Sequence, residues 1–281
     1  MILSIVHYNQ LSRNQKLHVH QLLQHNQWAH DIPFFQLLEG HQFVYLKHDL
    51  VYATLGYRIS NEMTCLMNGA YSNISAFHLL AKHLHEYLVR QGAQQIKVQV
   101  VPPQDGALSS VWKTLGYTLS AEQFRLIGIS NDRVSSLRFQ PIHARNQELY
   151  LTLRNHSIKG CDHLFPYHQE HYEQFSHSNT SPYLIYDQQL VIGTLLYQKY
   201  GRTIRLLEIT CLPELKYQGY GRRILDTFQA KLCKANIKTF ETIFHSTNLD
   251  VLRLYQKSTF CDIQLFSHWH TFQVQNKSLT T

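Results

Sequence analysis

The sequence predicts an α/β fold built twice: a mixed sheet flanked by helices in each of two successive halves. Three observations carry this. Short segments recur in the same order in both halves. Strand-like and helix-like segments alternate within each half. The chain, at 281 residues, is near the length where one hydrophobic core gives way to two.

The recurrences come first. Arg13-Asn14-Gln15-Lys16-Leu17 matches Arg145-Asn146-Gln147-Glu148-Leu149, an offset of 132. Leu50 to Tyr57 matches Leu190 to Tyr197 with five identities in eight positions, an offset of 140. Glu62 to Leu66 matches Glu208 to Leu212 at 146, and Leu115-Gly116-Tyr117 aligns with Ser258-Thr259-Phe260 at 143. Repeats of domain size imply duplicated domains rather than a solenoid. The polar run Ser130 to Ser136 marks the join, so the expected domains are 1–130 and 137–281.

Each half then follows one plan. Met1 to Gln10 alternates as a strand, and Ser12 can N-cap a helix running to Gln27. In the second half, Tyr183 to Asp187 and Leu190 to Tyr200 form a hairpin, and Arg205 to Leu212 is the next strand. Ile224, Leu225, Phe228 and Leu232 fall on one helical face, as do Leu80, Leu84, Tyr87 and Leu88 in the first half. A strand at Thr239 to Phe244, a helix from Asn248 to Gln256 and a closing strand complete the plan.

Composition limits the function classes. With 44% hydrophobic and 16% charged residues the chain can bury a core and is not a disordered one. Its +7 formal charge favours anionic ligands, but the cations are scattered rather than clustered as nucleic-acid binding would require. No stretch approaches the roughly 20 apolar residues of a membrane span. The start has no basic leader segment, so the expected compartment is the cytoplasm. Five cysteines (65, 161, 211, 233 and 261) without a CxxC pair suit free thiols in a reducing compartment. Histidine is abundant, at 19, with pairs such as His18-x-His20, His83-x-His85, His168-x-x-His171 and His268-x-His270. None carries a companion Cys pair or an HExxH pattern, so no metal site is expected. His163, His168 and His171, with Tyr167 and Tyr172, are either a solvated helix face or the lining of a substrate pocket.

One motif carries chemistry. Lys216-Tyr217-Gln218-Gly219-Tyr220-Gly221-Arg222-Arg223 lies between a strand and a helix. Its two glycines admit a ligand close to the backbone, and the helix start turns unpaired N–H groups outward, an anion site. Arg222 and Arg223 in the first helical turn oppose the macrodipole by about 0.3–1 kcal/mol, which a bound polyphosphate would offset.

Pro213 to Gly221 resembles the acetyl-CoA loop of GNAT N-acetyltransferases, Arg/Gln-x-x-Gly-x-Gly/Ala, with Lys216 where Arg or Gln is usual. Asn248 to Phe260 (NLDVLRLYQKSTF) resembles that family's closing motif, with Thr259 replacing the usual Gly. The resemblance covers about residues 137–272. It implies two tandem GNAT-like domains, each a mostly antiparallel mixed sheet flanked by helices. It further implies that acetyl-CoA is the co-substrate and that a small-molecule or peptide amine is the acceptor, attacking the thioester directly. The backbone at Cys211 and Leu212 would pair with the pantetheine arm between splayed strands. The N–H groups around Gln218, Gly219, Tyr220, Gly221 and Arg222 would hold the pyrophosphate, Lys216 and Tyr217 of the same loop would also belong to the cofactor site, and Asn248 would contact CoA or brace the site. Tyr255 would give a proton to the departing thiolate; the alternative is core packing beside Leu252.

Glu208 is the candidate base, although Glu62 at the matching place in the first half argues for a structural role in both. In the first half Lys216, Gly219 and Gly221 correspond to Ala70, Asn73 and Ser75, Tyr255 to Trp112, and Asn248 to Asp105. That half is therefore expected to be a degenerate copy. Two further classes remain at this stage: a non-catalytic acyl-CoA-binding protein, and an aminoacyl-tRNA-dependent transferase of tandem GNAT-like type.

Overall fold

The structure, a computed structural model, describes residues 3–25, 41–61, 64–100, 105–133, 136–159, 166–169, 172–173, 175, 179–201, 203–258 and 260–274. It divides into two compact units: residues 1–121 with 267–281, and residues 122–266.

In the first unit, β1 (Leu3–His7), β2 (Gln42–Lys47), β3 (Leu50–Asn61) and β4 (Thr64–Tyr71) pair antiparallel in that order. Helix α1 (Arg13–His25) begins at a reciprocal cap: Ser12 Oγ accepts from Gln15 N–H and Gln15 Oε1 accepts from Ser12 N–H. Helix α2 (Ile74–Arg90) buries Ala76, Phe77, Leu80, Ala81, Leu84 and Leu88 on one face, packed over β3 and β2. Each large apolar side chain so buried contributes about 1.5–3 kcal/mol. The crossover through α2 brings β5 (Gln95–Val100) parallel to β4, and α3 (Asp105–Thr114) follows.

The second unit repeats this. β7 (Arg138–Pro141), β8 (Thr180–Asp187), β9 (Leu190–Tyr200) and β10 (Thr203–Cys211) pair antiparallel in order. Helix α4 (Gln147–Ser157) turns Tyr150, Arg154 and Ser157 inward. Helix α5 (Tyr220–Lys234) buries the expected Ile224, Leu225, Phe228 and Leu232, and returns β11 (Thr239–His245) parallel to β10. Helix α6 (Leu249–Gln256) comes next. The mixed, mostly antiparallel sheet expected for each half is therefore present in each unit.

The unit boundaries differ from the expected 1–130 and 137–281, and strand pairing is the reason. The strand β6 (Thr118–Ile129) closes the first sequence half, yet its residues 123–129 pair antiparallel with β11. The strand β12 (Phe260–Gln273) closes the second half, yet its residues 268–273 pair antiparallel with β5. Each unit thus takes its last strand from the other sequence half. The polar join also belongs to the second unit: Ser130 Oγ donates to Ile237 O and Asn131 Nδ2 donates to Gln229 Oε1.

Register corrects one expected match. Tyr52 and Ile192 are each the extra residue of a bulge at the same place in their hairpins, confirming the offset of 140 there. Ala53 opposes Tyr71 as Gly193 opposes Cys211, so β4 and β10 also align at 140. The Glu62–Leu66 match to Glu208–Leu212 is six residues out of register. Asn68, not Glu62, stands at the place of Glu208; Glu62 itself lies outside the described residues.

Candidate active site

Five segments of the second unit enclose a cleft of about 380 Å³: the end of α4 at Ser157 and Ile158, β10 from Ile209 to Cys211, the turn 212–219, the start of α5, and one face of α6. Lys216, Arg222, Arg253 and Lys257 line it, against one carboxylate among the described residues, Asp250. That excess suits an anionic ligand.

The strand supplies a backbone edge. The parallel ladder between β10 and β11 runs over three pairs, Ile204–Phe240 to Leu206–Thr242, and ends while β10 continues to Cys211. The register of β10 against β9 shifts between Leu206 and Glu208, a bulge at the point where the two strands part. Beyond it, Leu212 N–H donates to Ile192 O at 3.0 Å. Backbone groups alternate between the two edges of an antiparallel strand. Ile209 and Cys211 therefore direct their N–H and C=O groups to the opposite side, where β11 has left. Leu212 does not fit its expected role: its N–H is bound to β9 and its C=O accepts from Leu215 N–H. Ile209 takes its place, two residues before Cys211.

The turn supplies N–H groups. Tyr217 (φ 62°) and Gly219 (φ 85°) adopt left-handed conformations that wind the chain into α5. Gly219 is the N-cap and has no side chain with which to fill the helix end. The first intrahelical bond runs from Arg223 N–H to Gly219 O at 3.2 Å, leaving the N–H groups of Tyr220, Gly221 and Arg222 ahead of it.

No protein-family description matches this sequence, and no curated protein matches it. Solved structures do. A tandem GNAT protein from the clavulanic acid biosynthesis pathway aligns over 97% of this chain and 98% of its own, with a TM-score of 0.63 at 11% identity. A GCN5-related N-acetyltransferase from Sphaerobacter thermophilus aligns over 97% and 95%, with a TM-score of 0.61 at 10% identity. A third, from Anabaena variabilis, aligns over 98% and 73%, with a TM-score of 0.64 at 13% identity. The chain has the GNAT fold.

Within that GNAT fold, several side chains expected at the site are committed elsewhere. Arg222 Nε donates to both oxygens of Asp226, and its Nη1 reaches Lys257 O and Ser258 Oγ at the end of α6. Arg223 Nη1 pairs with Asp187 at 2.7 Å. The dipole cost of two first-turn arginines is thus offset internally by Asp226 and Asp187. Gln218 Nε2 is tied to Glu214 O at 2.9 Å. Asn248 is an N-cap, its Oδ1 accepting from Val251 N–H at 3.2 Å, so it braces α6 on the cleft wall.

Glu208 is not placed as a base. Arg154 Nε donates to Oε1 at 3.0 Å and Oε2 at 3.2 Å, and Nη2 donates to Oε2 at 2.7 Å. The two side chains are 1% and 7% exposed. Burial alone would lower the Arg154 pKa, but the charge of Glu208, with Tyr167 and Tyr150, more than offsets this and holds it above its usual value. Both carboxylate oxygens are engaged by the guanidinium, and Glu208 is not among the residues that line the cleft. The guanidinium also lies 3.5 Å from the ring centre of Tyr167, which is buried beneath it rather than lining the cleft. The Tyr150 hydroxyl near this pair is buried without a hydrogen-bond partner, and burial raises its pKa well above the usual phenol value. His163 and His171 lie outside the described residues, and Tyr172 Oη donates to Ile142 O.

Tyr255 lies under the cleft rather than on its wall. Its ring packs between Phe244 and Phe260, and its hydroxyl is 3.1 Å from Thr242 Oγ1, at the last laddered pair of the fork. Burial pushes the phenol up to about 12. Cys211 is on the wall, and burial raises its thiol to about 11. Sequence reasoning missed Arg253 and Lys257; their spacing of four from each other, and of three and seven from Asp250, was the available signal. Among the described residues no group of three His, Cys, Asp or Glu is close enough to hold a metal, and no helix is long and apolar enough to cross a membrane.

Proposed function

We propose that the second unit binds acetyl-CoA and transfers its acetyl group to an amine of a small molecule or peptide by direct attack. One observation carries this reading: the open edge of β10 meets an uncapped helix N-terminus inside a single cationic cleft. The edge groups of Ile209 and Cys211 would accept and donate to the amides of a pantetheine arm. The first-turn N–H groups of α5 and the ammonium of Lys216 would hold the pyrophosphate.

When bound, acetyl-CoA supplies an activated thioester, so the chain's part is positioning and proton handling. Tyr255, protonated at neutral pH with its pKa at about 12, holds a proton at the apex of the fork for the departing sulfur. With Glu208 committed to Arg154, the acceptor's ammonium proton leaves to water. The free thiols of Cys65, Cys211 and Cys233 fit a cytoplasmic setting, where acetyl-CoA is available.

Thiol release from acetyl-CoA across a panel of amines tests the reading directly. Calorimetry should find one site per chain, because the first unit lacks the phosphate turn. Tyr255→Phe should cut turnover by about 10²–10⁴ while affinity for CoA holds; near-normal turnover would make this a packing tyrosine. A second reading, acyl-CoA binding without turnover, draws on the full burial of that hydroxyl. It is favoured if CoA binds and no amine in the panel releases thiol.

A further inference from the structure

Tyr217 sits where packing gives it no reason to be. It is 83% exposed, the most exposed large hydrophobic side chain among the described residues. It also holds a left-handed backbone, φ 62°, which a bulky residue adopts at a cost. Its hydroxyl donates to both oxygens of Asp250, 3.2 Å to each, joining the turn to the first helical turn of α6 across the cleft mouth. Asp250 suits the first turn of α6, where the helix dipole favours an acid, and it is also the one carboxylate among the described residues that lines the cleft. Against a polyanion, a carboxylate beside Lys216, Arg253 and Lys257 is unfavourable unless it accepts a hydrogen bond from the ligand.

We propose that Tyr217 and Asp250 form the nucleobase end of the donor site, the phenol ring stacking on adenine and the carboxylate accepting from its exocyclic amino group. The inference rests on the acetyl-CoA reading and adds to it a specific reason to prefer a nucleotide-bearing donor. The placement suits the chemistry. Tyr217 is two residues from Gly219, as the base of such a donor is one ribose from its pyrophosphate. An exposed aromatic face stacks on any base. A carboxylate at its edge demands an N–H donor, which adenine offers through its exocyclic amino group. The hydrogen bond from the Tyr217 hydroxyl fixes the ring in advance, so less freedom is lost on binding.

The test compares two donors: acetyl-CoA, and acetyl-4′-phosphopantetheine, which keeps the thioester and one phosphate but lacks the nucleotide. The quantity read is the preference, the ratio of kcat/KM values, with calorimetry of the two unacetylated compounds alongside. Tyr217→Ala should lower the preference about tenfold. Tyr217→Phe, which keeps the ring, should restore most of it. Asp250→Ala should lower it by a smaller factor. Both turn positions are exposed enough for the variants to fold. A preference unchanged in Tyr217→Ala, in a chain that binds CoA, overturns the nucleobase site and leaves the donor reading standing. A chain that binds neither CoA nor phosphopantetheine overturns both.

Discussion

The turn after β4 and the turn after β10 occupy the same place in their units, and they differ by length before they differ by chemistry. The first is two residues, Ser72 and Asn73, and Asn73 Oδ1 accepts from Ala76 N–H at 2.9 Å, closing the start of α2 with its own side chain. The second is eight residues, 212–219, with a 3-10 turn at Pro213–Leu215 and two left-handed positions, and its cap is a glycine. The parallel ladder stops early in both units, after Met67–Val98 in one and Leu206–Thr242 in the other. An opened sheet is therefore common to both. The insertion, and the bare helix end it creates, are what the proposed polyphosphate site requires and what the turn of the first unit lacks.

Removing the exchanged strand should have the largest effect. A chain of residues 137–281 lacks the strand 123–129 that pairs with β11 and keeps 268–273 without its partner β5. It should aggregate or stay unfolded, read by circular dichroism and size-exclusion chromatography. A soluble, cooperatively unfolding 137–281 would show the two units to be separable along the sequence halves. Next comes a transplant within the full chain. Replacing residues 212–219 with Ser-Asn should abolish detectable CoA binding by calorimetry while the second unit still folds. Retained affinity would mean the insertion is not what distinguishes the units.

A smaller effect is expected at the buried pair. Glu208→Gln leaves Arg154 buried without its counter-charge and should cost about 3–5 kcal/mol of stability, read by denaturant unfolding. If stability holds and turnover alone collapses, Glu208 is chemical after all. The smallest effect is a rate. Because burial raises the Cys211 thiol to about 11, its thiolate is about one part in a thousand at pH 8. Its alkylation by iodoacetamide should therefore rise about tenfold per pH unit until pH approaches 11, and bound CoA should slow it. Mass spectrometry of the labelled peptide separates it from exposed Cys233.

Much of the fold was legible because periodicity is local. The helical faces of α2 and α5, the cap at Ser12 and the 190–200 hairpin strand all follow from residues within a few positions of one another. The glycines at 219 and 221 likewise marked the turn that leads into α5. What escaped depends on partners far along the chain. Nothing near Glu208 reveals Arg154, and nothing near Arg222 reveals the end of α6. The false register of Glu62–Leu66 arose because a five-residue match carries no information about which strand residue it opposes. Leu212 failed for a related reason: which edge a backbone group faces is set by β9, not by its own neighbours.

The exchange of closing strands also bears on how the chain is made. Gln99 Nε2 donates to Ser267 Oγ, a bond between residues 168 apart. At synthesis rates of about 5–20 residues per second, the edge of β5 waits on the order of 10–30 s for its partner to leave the ribosome. During that interval the first unit exposes an unpaired strand, the template for wrong pairing. The first half therefore cannot finish folding ahead of the second, and the two sheets are complete only once β11 and β12 have been made.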